Sequence, residues 1–189
     1  MSPPQPGLFD LEPSEPEGLR YQAELLTRQE EAALADAFAE FPFKPFELGP
    51  YRGLRRVVSF GWKYDYGDRQ LKTAPPVPVL LAPLRERAER FAGVRPGGLE
   101  QMLVTEYPPG AGIGWHRDRP EFGRVVGISL LAACVFRFRR RTAEGWRRAK
   151  FVAEPRSTYL LDGLARHEWE HSIAGVDALR YSITLRERL

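Results

Sequence analysis

From Leu99 onward the chain is a succession of short β-like runs. "LEQMLVTEY", "RVVGISLL", "CVFRFRRR", "WRRAKFVAE", "STYLLDG" and "ALRYSITLRER" are each set off by Gly, Pro or polar turns. Six such runs within about ninety residues predict a sandwich or barrel with few helices. The chain before them reads differently. "TRQEEAALADAFAEF" opens with Thr27 and Glu30 at capping-box spacing and sets Leu34, Phe38 and Phe41 on one helical face. "VLLAPLRERAERFAGV" predicts a second helix, with Leu80, Leu84 and Phe91 inward and Arg85, Arg87 and Glu89 outward. Between the helices "RRVVSFGWKYDYG" alternates as a strand does. The expected class is α+β, a jelly-roll core with supporting N-terminal helices.

A chain of 189 residues with 43% hydrophobic and 28% charged residues suits one globular domain, expected over residues 19–189. Residues 1–18 carry five prolines, four acidic groups and no basic one, and read as a flexible tail. No apolar run approaches the roughly 20 residues that would cross a bilayer. The opening "MSPPQPGLFD" lacks the basic-then-apolar order of a signal peptide, so a cytoplasmic monomer is expected. The single Cys134 excludes an internal disulfide or a Cys-based zinc cage and reads as a small buried hydrophobe. Basic charge is concentrated in "RFRRRTAEGWRRAK", residues 137–150, where seven Arg or Lys face Glu144 alone.

Histidine is scarce, and its placement is informative. In "GIGWHRDRPEFG" an extended backbone would turn His116 and Asp118 to the same side. A third donor is needed, and "LARHEWEHSI" offers His171 or, as a rival, His167. Two imidazoles and one carboxylate with open positions characterise non-haem Fe(II) oxygenases, although zinc hydrolases and metal-binding cupins use the same donors. "RYSITLR" then puts Arg180, Ser182, Thr184 and Arg186 on one strand face and Tyr181, Ile183 and Leu185 on the other. Arginines aimed into a β core are costly unless they meet anions, and a guanidinium fork grips a carboxylate bidentately. A dicarboxylate or a pair of structural ion pairs would each satisfy them.

Taken together, "YPPGAGIGWHRD", "HSI" and "RYSITLR" resemble the Tyr…His-x-Asp…His…Arg-x-Asn-x-Thr-x-Arg pattern of the AlkB-like dioxygenases, which depend on Fe(II) and 2-oxoglutarate. The resemblance runs over about residues 50 to 188 and includes "FGWKYDY", similar to the family's substrate-lid strand. It implies a double-stranded β-helix with iron on His116, Asp118 and His171, leaving His167 to packing or outer support. It places the far carboxylate of 2-oxoglutarate on Arg180, supported by Tyr107, with Arg186 nearer the metal end and Thr105, Ser182 and Thr184 lining the cosubstrate. Thr105 and Ser182 stand where the family has asparagine; both still hydrogen-bond. Pro120 stands where the bacterial repair enzymes carry a base-reading acid, leaving Glu121 as the nearest carboxylate.

The implied reaction consumes O2 and 2-oxoglutarate and demethylates an alkylated base in DNA or RNA, releasing formaldehyde, succinate and CO2. Trp62, Tyr64 and Tyr66 would stack on a flipped base, against a reading as core packing. Arg137, Arg139 and Arg141 would meet phosphates, against a reading as a charged sheet edge. An oxygenase acting on a protein side chain or small molecule, or a silent β-barrel binding module, stands as the alternative.

Overall fold

Thr27 starts the first helix as its spacing predicts. Its hydroxyl accepts from the Glu30 amide at 3.2 Å, while the Glu30 carboxylate accepts from the Thr27 amide at 2.8 Å. Helix α1 (Arg28–Phe38) buries Leu34 and Phe38; Phe41 lies beyond its end but packs on the same cluster. Pro83 shortens the second helix. A proline is tolerated only in a first turn, so α2 (Ala82–Ala92) begins next to it and Val79–Leu81 form a separate 3-10 turn. That offset overturns two expectations: Leu80 is exposed and Leu81 takes the inward place, with Leu84, Ala88 and Ala92 behind it. Glu89, expected outside, is buried and accepts from the Leu99 amide at 3.3 Å.

The structure, a computed structural model, describes residues 16–48 and 50–189, so all but the last three residues of the expected tail lie outside it. The strands are β1 (Leu19–Gln22), β2 (Lys44–Leu48), β3 (Tyr51–Phe60), β4 (Trp62–Asp65), β5 (Gln70–Thr73), β6 (Gln101–Tyr107) and β7 (Ile113–His116). They continue with β8 (Phe122–Leu130), β9 (Cys134–Thr142), β10 (Gly145–Ala153), β11 (Thr158–Leu161), β12 (Glu170–Ile173) and β13 (Arg180–Arg188), with a short α3 (Gly163–His167) before β12. A seven-stranded sheet runs β1-β11-β8-β13-β6-β3-β2 and a four-stranded sheet β10-β9-β12-β7, all pairs antiparallel. From β6 the chain passes back and forth between these two sheets, which makes the jelly roll.

Two cores follow from strand alternation. Tyr181, Ile183 and Leu185 of β13 join α1 and α2 in one cluster, while Tyr107, Val125, Phe136, Phe138 and Trp169 fill the space between the sheets. The run read as one strand over "RRVVSFGWKYDYG" is two. Gly61, at φ +73°, turns the chain out of β3, and its amide donates to the Pro75 carbonyl at 2.7 Å. Beyond it β4 and β5 form a separate hairpin.

Between the sheets, the Tyr159 ring occupies the space where residue 127 would carry a side chain: a Cβ there would lie 2.1 Å from the ring. Replacing Gly127 with Ala therefore overpacks a closed core. It should cost about 1–3 kcal/mol of stability, read as a lower denaturant midpoint at unchanged slope.

Candidate metal and cosubstrate site

His116 ends β7 and His171 sits in β12, directly opposite it in the register. Cross-strand partners project to the same face, so the two rings meet edge-on with centroids 4.3 Å apart. Asp118 lies two residues beyond β7, in a loop rather than in the extended strand expected, yet its carboxylate comes to 3.5 Å from His171 Nε2. His116 Nδ1 is 2.9 Å from the Gly114 carbonyl. A proton on that nitrogen leaves the Nε2 lone pair free for a metal. Among the described residues no three His, Cys, Asp or Glu side chains are already set as a finished metal cage. What the fold supplies is the right donors side by side.

Their protonation suits metal binding. Burial and the neighbouring His116 push His171 down to about 3, which keeps its imidazole neutral at ordinary pH. Burial alone would raise Asp118, but Arg186, His171, His116 and Arg166 outweigh it and hold the carboxyl well below the usual range. Arg186 on β13 does this directly: Nε and Nη2 both reach Asp118 Oδ1, at 2.8 and 2.7 Å, and Nη1 donates to Gln101 Oε1 at 2.8 Å. The resemblance implied a cosubstrate contact for Arg186; in the structure its guanidinium is bound to the candidate metal ligand.

Arg180 behaves differently. It is fully buried, its Nε donates to Ser129 Oγ at 3.1 Å, and its guanidinium lies 4.9 Å from the centroid of the buried Tyr107 ring. Nη1 and Nη2 have no hydrogen-bond partner among the described residues. A buried guanidinium with two empty donor groups is expensive, and a carboxylate would satisfy both in one bidentate contact. Thr105 and Ser182 are buried and paired across β6 and β13, and Thr184 is half-buried one step further along the same face. The side chains present therefore fit both a divalent metal and a dicarboxylate.

Two residues here escape a reading of the sequence. Ser129 carries no signal in an apolar run. Arg166, buried on α3, donates to the carbonyls of Gly123 at 2.8 Å, Phe122 at 2.5 Å and Arg119 at 2.6 Å, and so pins the loop that carries Asp118. His167, the rival ligand, is exposed at the end of α3; helical geometry there breaks the alternation that would have aligned it with His171.

The hairpin residues divide. Tyr64 sits under the Arg119 guanidinium, which lies 4.3 Å from its ring centroid, and its hydroxyl accepts from Arg119 Nη2 at 2.5 Å. Tyr66 lies past β4 and meets Tyr64 and Phe46 edge-on, at 5.1 and 5.8 Å. Burial raises its phenol pKa, Arg186 opposes this and Asp118 adds to it, so the hydroxyl end reaches into the field of the site. Trp62 instead packs under Arg188, 4.4 Å away, and does not join the two tyrosines. Glu121 takes a long 3.4 Å contact from Arg119, while its other oxygen and Arg119 Nε are buried without partners. Arg137, Arg139 and Arg141 are not in this site: they project from β9 on the opposite face of the small sheet from His171.

The 2OG-Fe(II) oxygenase superfamily model matches residues 19–186. An Arabidopsis thaliana protein described as an alkylated DNA repair protein ALKBH8 homolog is 31% identical over 143 residues, covering 63% of this chain and 41% of that protein. Protein L905 of Acanthamoeba polyphaga mimivirus is 32% identical over 76 residues, covering 39% of this chain and 36% of its own length. The chain thus spans well under half the length of both curated relatives. Among solved structures, OsALKBH1 superposes with a TM-score of 0.67 at 15% identity, over 92% of this chain and 98% of its own. A Pseudomonas putida prolyl-4-hydroxylase gives 0.59 at 18%, over 91% and 93%. Both likenesses concern the fold: a jelly roll common to these oxygenases.

Removing Arg186 should expose what it offsets. With Arg186→Met the buried Asp118 carboxylate is left without its main cation, a deficit of about 3–5 kcal/mol. In the parent, a depressed carboxyl pKa adds stability above the unfolded value of about 3.9, which disappears as the pH falls through the folded one. In the variant, burial prevails, the sign reverses, and the deficit should shrink as the pH is lowered. Urea titrations of metal-free protein at several pH values check this, and Asp118→Asn in the same background should recover much of the stability.

Proposed function

This chain belongs to the 2OG-Fe(II) oxygenase superfamily, and we propose that within it the protein oxidatively demethylates an alkylated nucleobase in DNA or RNA. The family's cofactor is Fe(II), and its cosubstrates are 2-oxoglutarate and O2. When bound, the iron would activate O2, the oxidant, one atom of which would end in succinate as 2-oxoglutarate loses CO2 and the other in the hydroxylated C–H bond. A hydroxymethyl group left on a ring nitrogen then departs as formaldehyde.

In this reading His116, Asp118 and His171 hold the metal from one face, and Arg186 keeps Asp118 ionised and oriented. Arg180 takes the far carboxylate of 2-oxoglutarate on its two unpaired amino groups, with Ser129 and Tyr107 fixing the guanidinium. Thr105, Ser182 and Thr184 line the same strand face.

One observation carries the choice of substrate: the group formed by Tyr64, Arg119 and Glu121. It pairs an aromatic face with a buried unpaired donor, Arg119 Nε, and a buried unpaired acceptor, Glu121 Oε2. A flipped base offers a donor–acceptor edge that would satisfy both, and a π face for the side of the Tyr64 ring that Arg119 does not cover. Glu121 thus replaces the acid that Pro120 lacks, from one position further along. The alkylated-DNA-repair description of the Arabidopsis relative supports the same substrate class.

The experiment is formaldehyde release from alkylated DNA oligonucleotides, RNA oligonucleotides and methylated peptides, each with succinate as a second readout. Formaldehyde from at least one nucleic acid is expected. Succinate without formaldehyde on every nucleic acid, or product from peptides alone, overturns the proposal. Tyr64→Ala should weaken binding of a reactive oligonucleotide by about 1–3 kcal/mol.

The site itself has separate tests. Ala at His116, Asp118 or His171 should abolish turnover and lower iron content, whereas His167→Ala should leave both intact. Arg180→Ala should raise the 2-oxoglutarate dissociation constant, measured anaerobically, by roughly thirtyfold or more.

A further inference from the structure

The small sheet has a second face, and its composition is unusual. Strand β7 turns His116 inward and Trp115 outward; β12 turns His171 inward and Glu170 outward. Behind the candidate metal site, then, lies an outer surface built from alternate residues of the four strands. Arg139 stands at its centre between two indoles, 4.5 Å from the Trp115 centroid and 4.6 Å from that of Trp146. Arg137 lies over Trp115 at 5.3 Å and Arg141 over Trp146 at 5.6 Å. On β10, Arg148 pairs in register with Arg139, and Lys150 with Arg137.

Five cations therefore share this face with Glu170, which is spoken for by Arg139 at 2.6 Å. Arg141, Arg148 and Lys150 are exposed, and among the described residues no carboxylate pairs with them. Mutual repulsion of this kind costs folding energy and does nothing for the core behind it. Charge alone could serve to guard a sheet edge, but an edge guard has no use for indoles, and Trp146 is 39% exposed. Guanidinium groups seated against aromatic rings lose less freedom when they grip an anion, and their remaining N–H groups suit phosphate oxygens. Trp146, exposed, and Trp115, half-buried, put aromatic surface at two places along the same track.

We infer that this outer face of the β10-β9-β12-β7 sheet binds single-stranded nucleic acid flanking the nucleotide that reacts. The inference rests on the nucleic-acid reading of the site above and deepens it by adding a second, remote contact. Strand β7 is the edge of its sheet, and Trp115 adjoins His116 on it. A strand held by phosphates on the outer face reaches the metal side by rounding that edge. Phosphate charge meets the unpaired cations, and unpaired bases meet Trp115 and Trp146. A duplex cannot present both.

The test is binding, independent of turnover: anisotropy titration of labelled, unmodified oligothymidylate at several salt concentrations, with phosphatidylserine vesicles and a polyglutamate peptide in parallel. The parent should bind the oligonucleotide in a salt-dependent way. Arg148→Glu with Lys150→Glu should flatten the log–log salt dependence by about 0.7 for each phosphate that the variant no longer holds. Trp146→Ala should weaken binding about five- to 150-fold. Only variants whose circular dichroism matches the parent are compared, and the two sets probe the face independently. Oligonucleotide binding that is absent, or unchanged in the charge-reversed variant, overturns the inference, as does binding to vesicles or peptide alone. Formaldehyde assays separate the two ideas. Base demethylation with oligonucleotide binding indifferent to Arg148 and Lys150 overturns this face and leaves the site reading intact. Face-dependent binding without demethylation of any base does the reverse.

Discussion

The buried ion pair between Asp118 and Arg186 is the constraint around which the rest is arranged. A carboxylate in that position is intolerable without a cation, and the cation comes from β13, the strand at the centre of the large sheet. The pair thus ties an irregular loop to the most regular part of the molecule. Arg166 completes the tie by taking the Arg119 carbonyl of that loop together with those of Phe122 and Gly123 at the start of β8, so the backbone around Asp118 is fixed although it belongs to no strand. Only then does the register between His116 and His171 acquire meaning, because two cross-strand imidazoles need a carboxylate held in front of them.

Strand β13 also divides labour between its faces. Tyr181, Ile183 and Leu185 bury against the helices and keep the strand straight, leaving Arg180, Ser182, Thr184 and Arg186 to the interior of the jelly roll. Because alternate residues cannot exchange faces without slipping the whole register, the packing core enforces the spacing between Arg180 and Arg186. Gly127 and Tyr159 show how tightly this interior is filled.

Much of this is legible in the residues. Capping chemistry at Thr27 and Glu30, and the alternation of β13, are local signals that tertiary contacts do not override. The two strands that carry His116 and His171 do not declare themselves, since four residues each are too few for periodicity to show. His116 and His171 nevertheless come to face each other in the register. The register of α2 is misjudged from periodicity alone because Pro83 resets a helix start, which moves Leu80 out and Glu89 in. The roles of Ser129 and Arg166 are invisible: one depends on a partner 51 positions away, the other on carbonyls 43 to 47 positions away. The aromatic run "FGWKYDY" reads as one stripe, but Trp62 packs under Arg188, while Tyr66, past the end of β4, turns onto Tyr64 and Phe46.

Gly61 has a wider meaning. The β4–β5 hairpin leaves and rejoins the body of the protein through one small gate, where the Gly61 amide bonds to Pro75 and the Ala74 amide returns to Gly61 at 2.9 Å. It shares no ladder with either large sheet. Such an attachment is narrow along the chain, and side chains do the rest: Tyr64 meets Arg119, Tyr66 meets Phe46 and Trp62 lies under Arg188. Held at one point of the backbone but seated by three side chains, the hairpin and the surface beneath it have to change together.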